Sequence, residues 1–416
     1  MTMDDTEARG GEVVVRDFDL LSAETRLDAD AQWAELRALA PVVRRESDAG
    51  AREFWTVTRY DEVCTAFRNW ELFSSARSDP AKSSIAFNEG PVPLLVPEEL
   101  DPPLWFAYRR ILAELLTPQA AEALRPHVRH WCHHFLDQVI ERGRCDFVHD
   151  LAVPVPAAVT MEWLGFPEEE WLPHALIFHD TSAYPPGHPT REAALLRYAD
   201  IVSSIARECE LRRSDPRDDA LTAMVQAEID GEPIEQHMLE CLVFMVIGGG
   251  VDTTTSLTTS ALVHLGQHPH DRDRLAADPA ALTLATEEFL RFYPPSRIHG
   301  RTVTEDTDVL GCPMRAGDRV VLGEISANYD ERQFPEPERF VLDREPNRHV
   351  SFGMGRHRCP GSHLARVEFA EMVNAVLERM PDYEIDEAGL REYPSWVGIG
   401  GWSEAPVTFS PGTRVG

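Results

Sequence analysis

Phe352-Gly353-Met354-Gly355-Arg356-His357-Arg358-Cys359-Pro360-Gly361 is the stretch from which the fold can be read. Glycines flank one cysteine, and after Pro360 the apolar residues Leu364, Val367, Phe369, Met372 and Val376 recur at helical spacing. The pattern predicts Cys359 as the N-cap of a helix opened by Pro360, with the amides of Gly361 and Ser362 aimed at the sulfur. A helix N-terminus, Arg356, Arg358 and a protonated His357 all favour an anion, so the thiol pKa is expected to fall and the sulfur to be held as thiolate. Gly355 lets the backbone bend beneath something flat, and Phe352 can cover one side of the sulfur. The bland alternative is a buried cysteine in a glycine-rich turn. Zinc fits poorly, because no second cysteine lies at ligand spacing.

A second stretch carries chemistry. A helical pattern from Pro233 to about Gln267 would span roughly 50 Å and must cross a whole domain. Its segment Cys241-Leu242-Val243-Phe244-Met245-Val246-Ile247 is apolar all round and therefore buried on every side. Gly248-Gly249-Gly250 is expected to interrupt it, each glycine costing ~1 kcal/mol relative to alanine. Asp252, Thr253, Thr254 and Thr255 follow, setting a carboxylate and hydroxyls beside a weakened turn that something can approach closely. The alternative is a glycine packing notch with a capped polar patch.

The rest of the chain is consistent with one large helical unit. A short helix around Trp33, Leu36 and Leu39, a strand at Phe54–Val57 and a helix at Tyr60–Phe67 precede residues 74–100, where turn formers leave no regular element. Asp101-Pro102-Pro103 opens a helix with Trp105 and Arg109 on one face, a donor pair for a carboxylate or an ordinary core tryptophan beside a solvated arginine. Helical segments at Glu168–His179 and Arg191–Arg213, joined by a Pro/Gly-rich piece, read as a mobile cover. Strands are expected at Thr302-Val303, Val309-Leu310, Val320-Val321 and Pro406–Phe409, with a tight turn from Trp396 to Trp402.

Acidic residues outnumber basic ones 70 to 40, a net charge of −30 that disfavours nucleic acid and anionic membrane surfaces. Seven cysteines without paired spacing point to a reducing compartment, and a cytoplasmic protein is expected. The acidic N-terminus has no apolar core, so neither a signal peptide nor a membrane anchor is expected.

The cysteine stretch resembles the haem-binding loop of the cytochrome P450 family, and Gly249-Gly250-Val251-Asp252-Thr253 resembles that family's oxygen-binding groove. The resemblance covers about residues 30 to 411. It implies a mainly α fold with a small β portion (α+β), one domain at 31–416 behind an N-terminal extension at 1–30, and haem b between the long helix and the loop. Cys359 would be the iron ligand, with Phe352, Gly353, His357, Gly361 and Gly249 around the cofactor. Trp105 and Arg109 would contact a propionate; many soluble bacterial members carry His where this chain has Trp105, and W-x-x-x-R occurs in other branches. Arg301 and His299 would serve the propionates too. Thr253 would donate a hydrogen bond on the oxygen side, and Asp252 would relay protons from solvent. Glu288 and Arg291 match the family's E-x-x-R pair, with Arg339 as expected third partner in a structural ion network.

By the same register Val246, Gly249, Arg297 and Ile298 face the substrate. Arg297 stands where apolar residues are usual, and would engage an anionic or carbonyl group of the substrate or turn away to a propionate or an acidic neighbour. The implied reaction inserts one atom of O2 into a small, largely apolar molecule, with electrons from NAD(P)H through a separate ferredoxin and ferredoxin reductase. These would dock on Arg109, Arg110, Arg356, Arg358 and Arg366, and a monomer is expected. A peroxide-driven relative, a non-oxygenating member and a haem-based gas sensor are the other readings.

Overall fold

The helix Gln236–Gln267 is the axis of the molecule, 32 residues and about 48 Å long. The structure, a computed structural model, describes residues 13–16, 18, 29–45, 54–80, 82–85, 92–394 and 398–416. Because this helix is apolar on every face, other helices surround it: Pro154–Leu164, Glu168–Ala183 and Tyr198–Ser214 along its first half, and Ser362–Arg379 nearer its end. It is long and apolar enough to cross a membrane by composition, yet most of that window is buried inside the fold. Ser362–Arg379 in turn lies against Pro118–Val139, and Trp131, Leu136, Phe369, Met372 and Val376 join one continuous core.

The glycine triplet does not interrupt the axis, contrary to expectation. The helix runs straight through, and the glycines divide their tasks. A Cβ on Gly248 would lie 2.6 Å from the Phe178 ring and one on Gly250 2.7 Å from Thr160 Oγ1, so these two are packing notches for neighbouring helices. Gly249 would meet only the flexible end of Met245, at 3.3 Å. The helix tolerates three glycines because close neighbours, rather than local propensity, hold it.

A six-stranded sheet flanks the helical body in the order Val15–Arg16, Val42–Arg45, Trp55–Val57, Arg319–Gly323, Ile298–Val303, Phe73–Ser74. Its first strand lies inside the segment read as a loose N-terminal extension, pairing Val15 with Arg44 and Arg16 with Arg45. No strand forms at Val309-Leu310, which is a turn. The expected cover is split: Glu168–Ala183 is followed by Pro189–Leu196 and, after Arg197, by Tyr198–Ser214. Trp396 and Val397 of the expected late turn lie outside the described residues.

Candidate functional site

A cavity of about 900 Å³ lies between the axial helix and the cysteine loop. The loop contributes Phe352, Gly353, His357, Cys359 and Gly361 to its wall; the helix contributes Val246, Gly249 and Thr253; Trp105, Arg109, Ile298, His299 and Arg301 complete the set. Of the site residues expected from sequence, only Asp252 and Arg297 are absent from this lining.

The sulfur is presented differently from the expectation. The helix begins at Ser362 with Gly361 as its cap, so Cys359 stands three residues ahead, in a turn, with its N–H donated to Phe352 O at 2.8 Å. The Gly361 N–H still serves the thiol, and a Cβ on Gly361 would lie 3.9 Å from Sγ. Burial pushes the Cys359 thiol up to about 11 and Glu98 adds to this; the Gly361 amide, Arg109 and Arg358 pull the other way and are outweighed. Burial thus works against the thiolate that the local charges favour. His357 is neutral for a related reason: burial, then Arg301 and Arg109, lower its pKa to about 3. Gly355, at φ +69°, is needed for a close approach to the Phe67 carbonyl, 2.8 Å from an added Cβ, while Gly353, at φ +64°, is the glycine that lines the cavity.

Beside the sulfur, polar groups converge without partners. Trp105 Nε1 and His357 Nε2 are buried and make no hydrogen bond among the described residues. Arg301, 4% exposed, donates to Gly300 O at 2.6 Å and forms no ion pair among the described residues. Burial lowers its pKa to about 10, so it remains a cation. Arg109 Nη2 donates to Arg358 O at 2.6 Å, and His299 Nδ1 lies 2.5 Å from Glu324 Oε2. Orphaned buried polar groups are costly, and two of them beside an arginine that lacks an ion-pair partner among the described residues fit a group that brings carboxylates of its own. Haem b, with two propionates and an iron for Cys359, meets that requirement. Glu98, which sequence reading passed over, shares this wall, with burial holding its carboxyl above the usual range.

On the axial helix Thr253 Oγ1 faces the cavity and donates to Gly249 O at 3.2 Å. Asp252 points elsewhere. Its Oδ1 lies 2.8 Å from His179 Nδ1 and 2.9 Å from the Tyr393 hydroxyl, while Oδ2 is buried without a partner. Burial would draw the His179 pKa down, but the hydrogen bond and charge of Asp252 outweigh it and leave the pKa raised. A second acid, missed by sequence reading, lines the cavity: Glu368 Oε2 accepts from Thr254 Oγ1 at 3.3 Å, and burial raises its pKa to about 8.

Two further expectations need correcting. Glu288 and Arg291 form the buried pair, 2.8 Å apart and fully enclosed, but their third partner is Arg344, whose Nε lies 3.0 Å from Glu288 Oε2. Arg339 contributes only its carbonyl oxygen and pairs its own guanidinium with Glu336 at the surface. Arg297 does not enter the cavity: its guanidinium lies against Gly400 and within the field of Asp30 and Glu392. It is Ser296 and Ile298, on either side of it in sequence, that reach the cavity wall.

Comparison with known proteins gives this geometry a lineage. Residues 280–381 match the family model "Cytochrome P450". The chain is 32% identical over 407 residues to a steroid C26-monooxygenase of Mycolicibacterium smegmatis, covering 96% of this chain and 98% of that protein. It is 30% identical to a methyl-branched lipid omega-hydroxylase of Mycobacterium bovis, covering 96% of each. Among solved structures it matches CYP108D1 of Novosphingobium aromaticivorans with a TM-score of 0.81 at 28% identity, over 91% of this chain and 93% of that one. With relatives above 30% identity aligned along nearly its whole length, the chain belongs to the cytochrome P450 family and is a monooxygenase.

Proposed function

We propose that this protein oxygenates a largely apolar molecule, holding haem b on Cys359 with the propionates against Trp105, Arg109, Arg301, His299 and His357. The observation that carries the reading is that Cys359, the orphaned Trp105 and His357 nitrogens and the Gly249–Thr253 turn all open on one cavity. Bound haem supplies the iron at which O2, two electrons and two protons yield an oxygenated substrate and water. The chain's own part is positioning and proton control. Thr253 has a hydroxyl at the cavity wall whose proton is now spent on Gly249 O and becomes available by rotation about one side-chain bond. Asp252 keeps Oδ2 free to accept and release a proton while Oδ1 is fixed by His179 and Tyr393. Val246, Ile298, Leu95, Phe178 and Phe244 give the cavity its apolar wall.

Electrons come, in this reading, from NAD(P)H through a ferredoxin and its reductase in the cytoplasm; all seven cysteines are free thiols, as a reducing compartment requires. The docking face is narrower than the sequence suggests. Arg366 is tied to Glu287 and Arg109 turns to Arg358 O, which leaves Arg110, Arg356 and Arg358 exposed beside Leu104 and Phe106. The deciding experiment is the carbon monoxide spectrum of the reduced protein. A thiolate-type spectrum that is lost in Cys359→Ala supports the assignment; an unchanged spectrum in that variant overturns it.

A further inference from the structure

Arg191 is a buried cation without a counter-ion. It sits in the short helix Pro189–Leu196 of the cover, is 7% exposed and lines the cavity. Its Nη1 donates to two carbonyls at the end of Glu168–Ala183, those of Thr181 and Tyr184. The neighbouring Glu192 is engaged elsewhere, accepting from Gly187 N at 2.9 Å, and no carboxylate pairs with Arg191 among the described residues. Capping a helix C-terminus gains little, whereas enclosing a cation without a charged partner costs far more. The cap alone leaves the burial unaccounted for. The cap uses Nη1, and the edge formed by Nε and Nη2 makes no hydrogen bond among the described residues and is not sealed from open space. That edge is the fork that binds a carboxylate through two parallel bonds.

The surroundings form a second polar patch on the cavity wall, apart from the one beside Cys359. Thr181, Ser182 and Tyr198 line it with Arg191, and the Tyr198 hydroxyl donates to Thr181 Oγ1 at 3.0 Å. Tyr198 meets Phe244 edge-on at 5.5 Å. Phe244 precedes Thr253 by nine residues of the axial helix, roughly 14 Å. We propose that Arg191 binds the carboxylate of an amphipathic substrate whose hydrocarbon portion runs along this helix to the Cys359 end, so that oxidation falls far from the acid. The inference rests on the monooxygenase reading and names the substrate class of the same cavity.

The test is a calorimetric titration of the holoenzyme with dodecanoic acid and its methyl ester, well above the acid's pKa. A charge-assisted fork is worth about 1.5–3 kcal/mol, so the acid is expected to bind roughly tenfold or more tightly than the ester. Arg191→Gln should bring the two within about twofold by weakening the acid alone. Equal affinities in the unaltered protein, parallel weakening of both ligands in the variant, or binding of neither ligand would overturn the proposal. The unaltered protein suffices for the acid–ester comparison if the variant does not fold. Heat of binding does not depend on the iron, so failure here is distinguishable from failure of the haem assignment, which the carbon monoxide spectrum reads.

Discussion

His179 Nδ1 lies 2.8 Å from Asp252 Oδ1, and both side chains are almost wholly enclosed. The acid next to Thr253 is therefore held by a hydrogen bond to a histidine, off the cavity wall that its hydroxyl neighbour lines. His179→Gln should keep a hydrogen bond to Asp252 while removing the titrating partner. In the variant, more of the NAD(P)H consumed should end as hydrogen peroxide and less as product; unchanged coupling would exclude His179 from the proton route.

The same pair makes a prediction about pH. His179 has a raised pKa, facing Asp252 with Asp180, His149 and Tyr393 around it. A group whose pKa rises on folding stabilises fully below its unfolded value, ~6.5, and that contribution is lost as pH climbs through the raised value. Denaturant midpoints of the unaltered protein should fall across that interval relative to those of His179→Gln. Parallel curves would show that the pair is not linked to folding.

Arg344 and Arg339 should differ sharply. Removing one member of a buried ion network costs about 3–5 kcal/mol, which is the expectation for Arg344→Ala beside the fully enclosed Glu288 and Arg291. Arg339 has a guanidinium at the surface, and Arg339→Ala should stay within about 0.5 kcal/mol. Urea midpoints decide between them.

Among the three helical glycines, only Gly249 has room for a methyl group. Gly249→Ala should gain up to ~1 kcal/mol of thermal stability from helix propensity while narrowing the cavity beside Thr253, so turnover falls as the melting temperature rises. Gly248→Ala should lose stability, because its Cβ would press on Phe178 at 2.6 Å.

Trp105→Phe keeps the ring and deletes the orphaned N–H. If that nitrogen meets a propionate, haem should transfer to an acceptor apoprotein roughly tenfold faster from the variant, and faster still from Arg301→Ala, which removes a charged donor. An unchanged transfer rate in both variants would contradict the assignment of that wall.

The parts of the site legible in sequence were those encoded locally. Gly353, Cys359 and Gly361 share one short loop, and Val246, Gly249 and Thr253 share one helix, so spacing set each group side by side and the family resemblance joined the two. What sequence missed depends on long-range packing. Asp252 meets His179 and Tyr393 across 73 and 141 residues. The thiol of Cys359 is governed by burial, which opposes the local charges that predicted an anion. Arg344 rather than Arg339 meets Glu288 across 56 residues of chain, a separation at which local spacing does not choose between the two arginines. The sheet strand at Val15–Arg16 has two residues, too few for alternation to announce it.

Phe178, from the cover, rests against Gly248, the residue before the glycine that faces the cavity. Any displacement of Glu168–Ala183 from the axis would withdraw an aromatic ring from the backbone next to Gly249, so one wall of the chamber and the contour of the groove in the other meet at a single side chain.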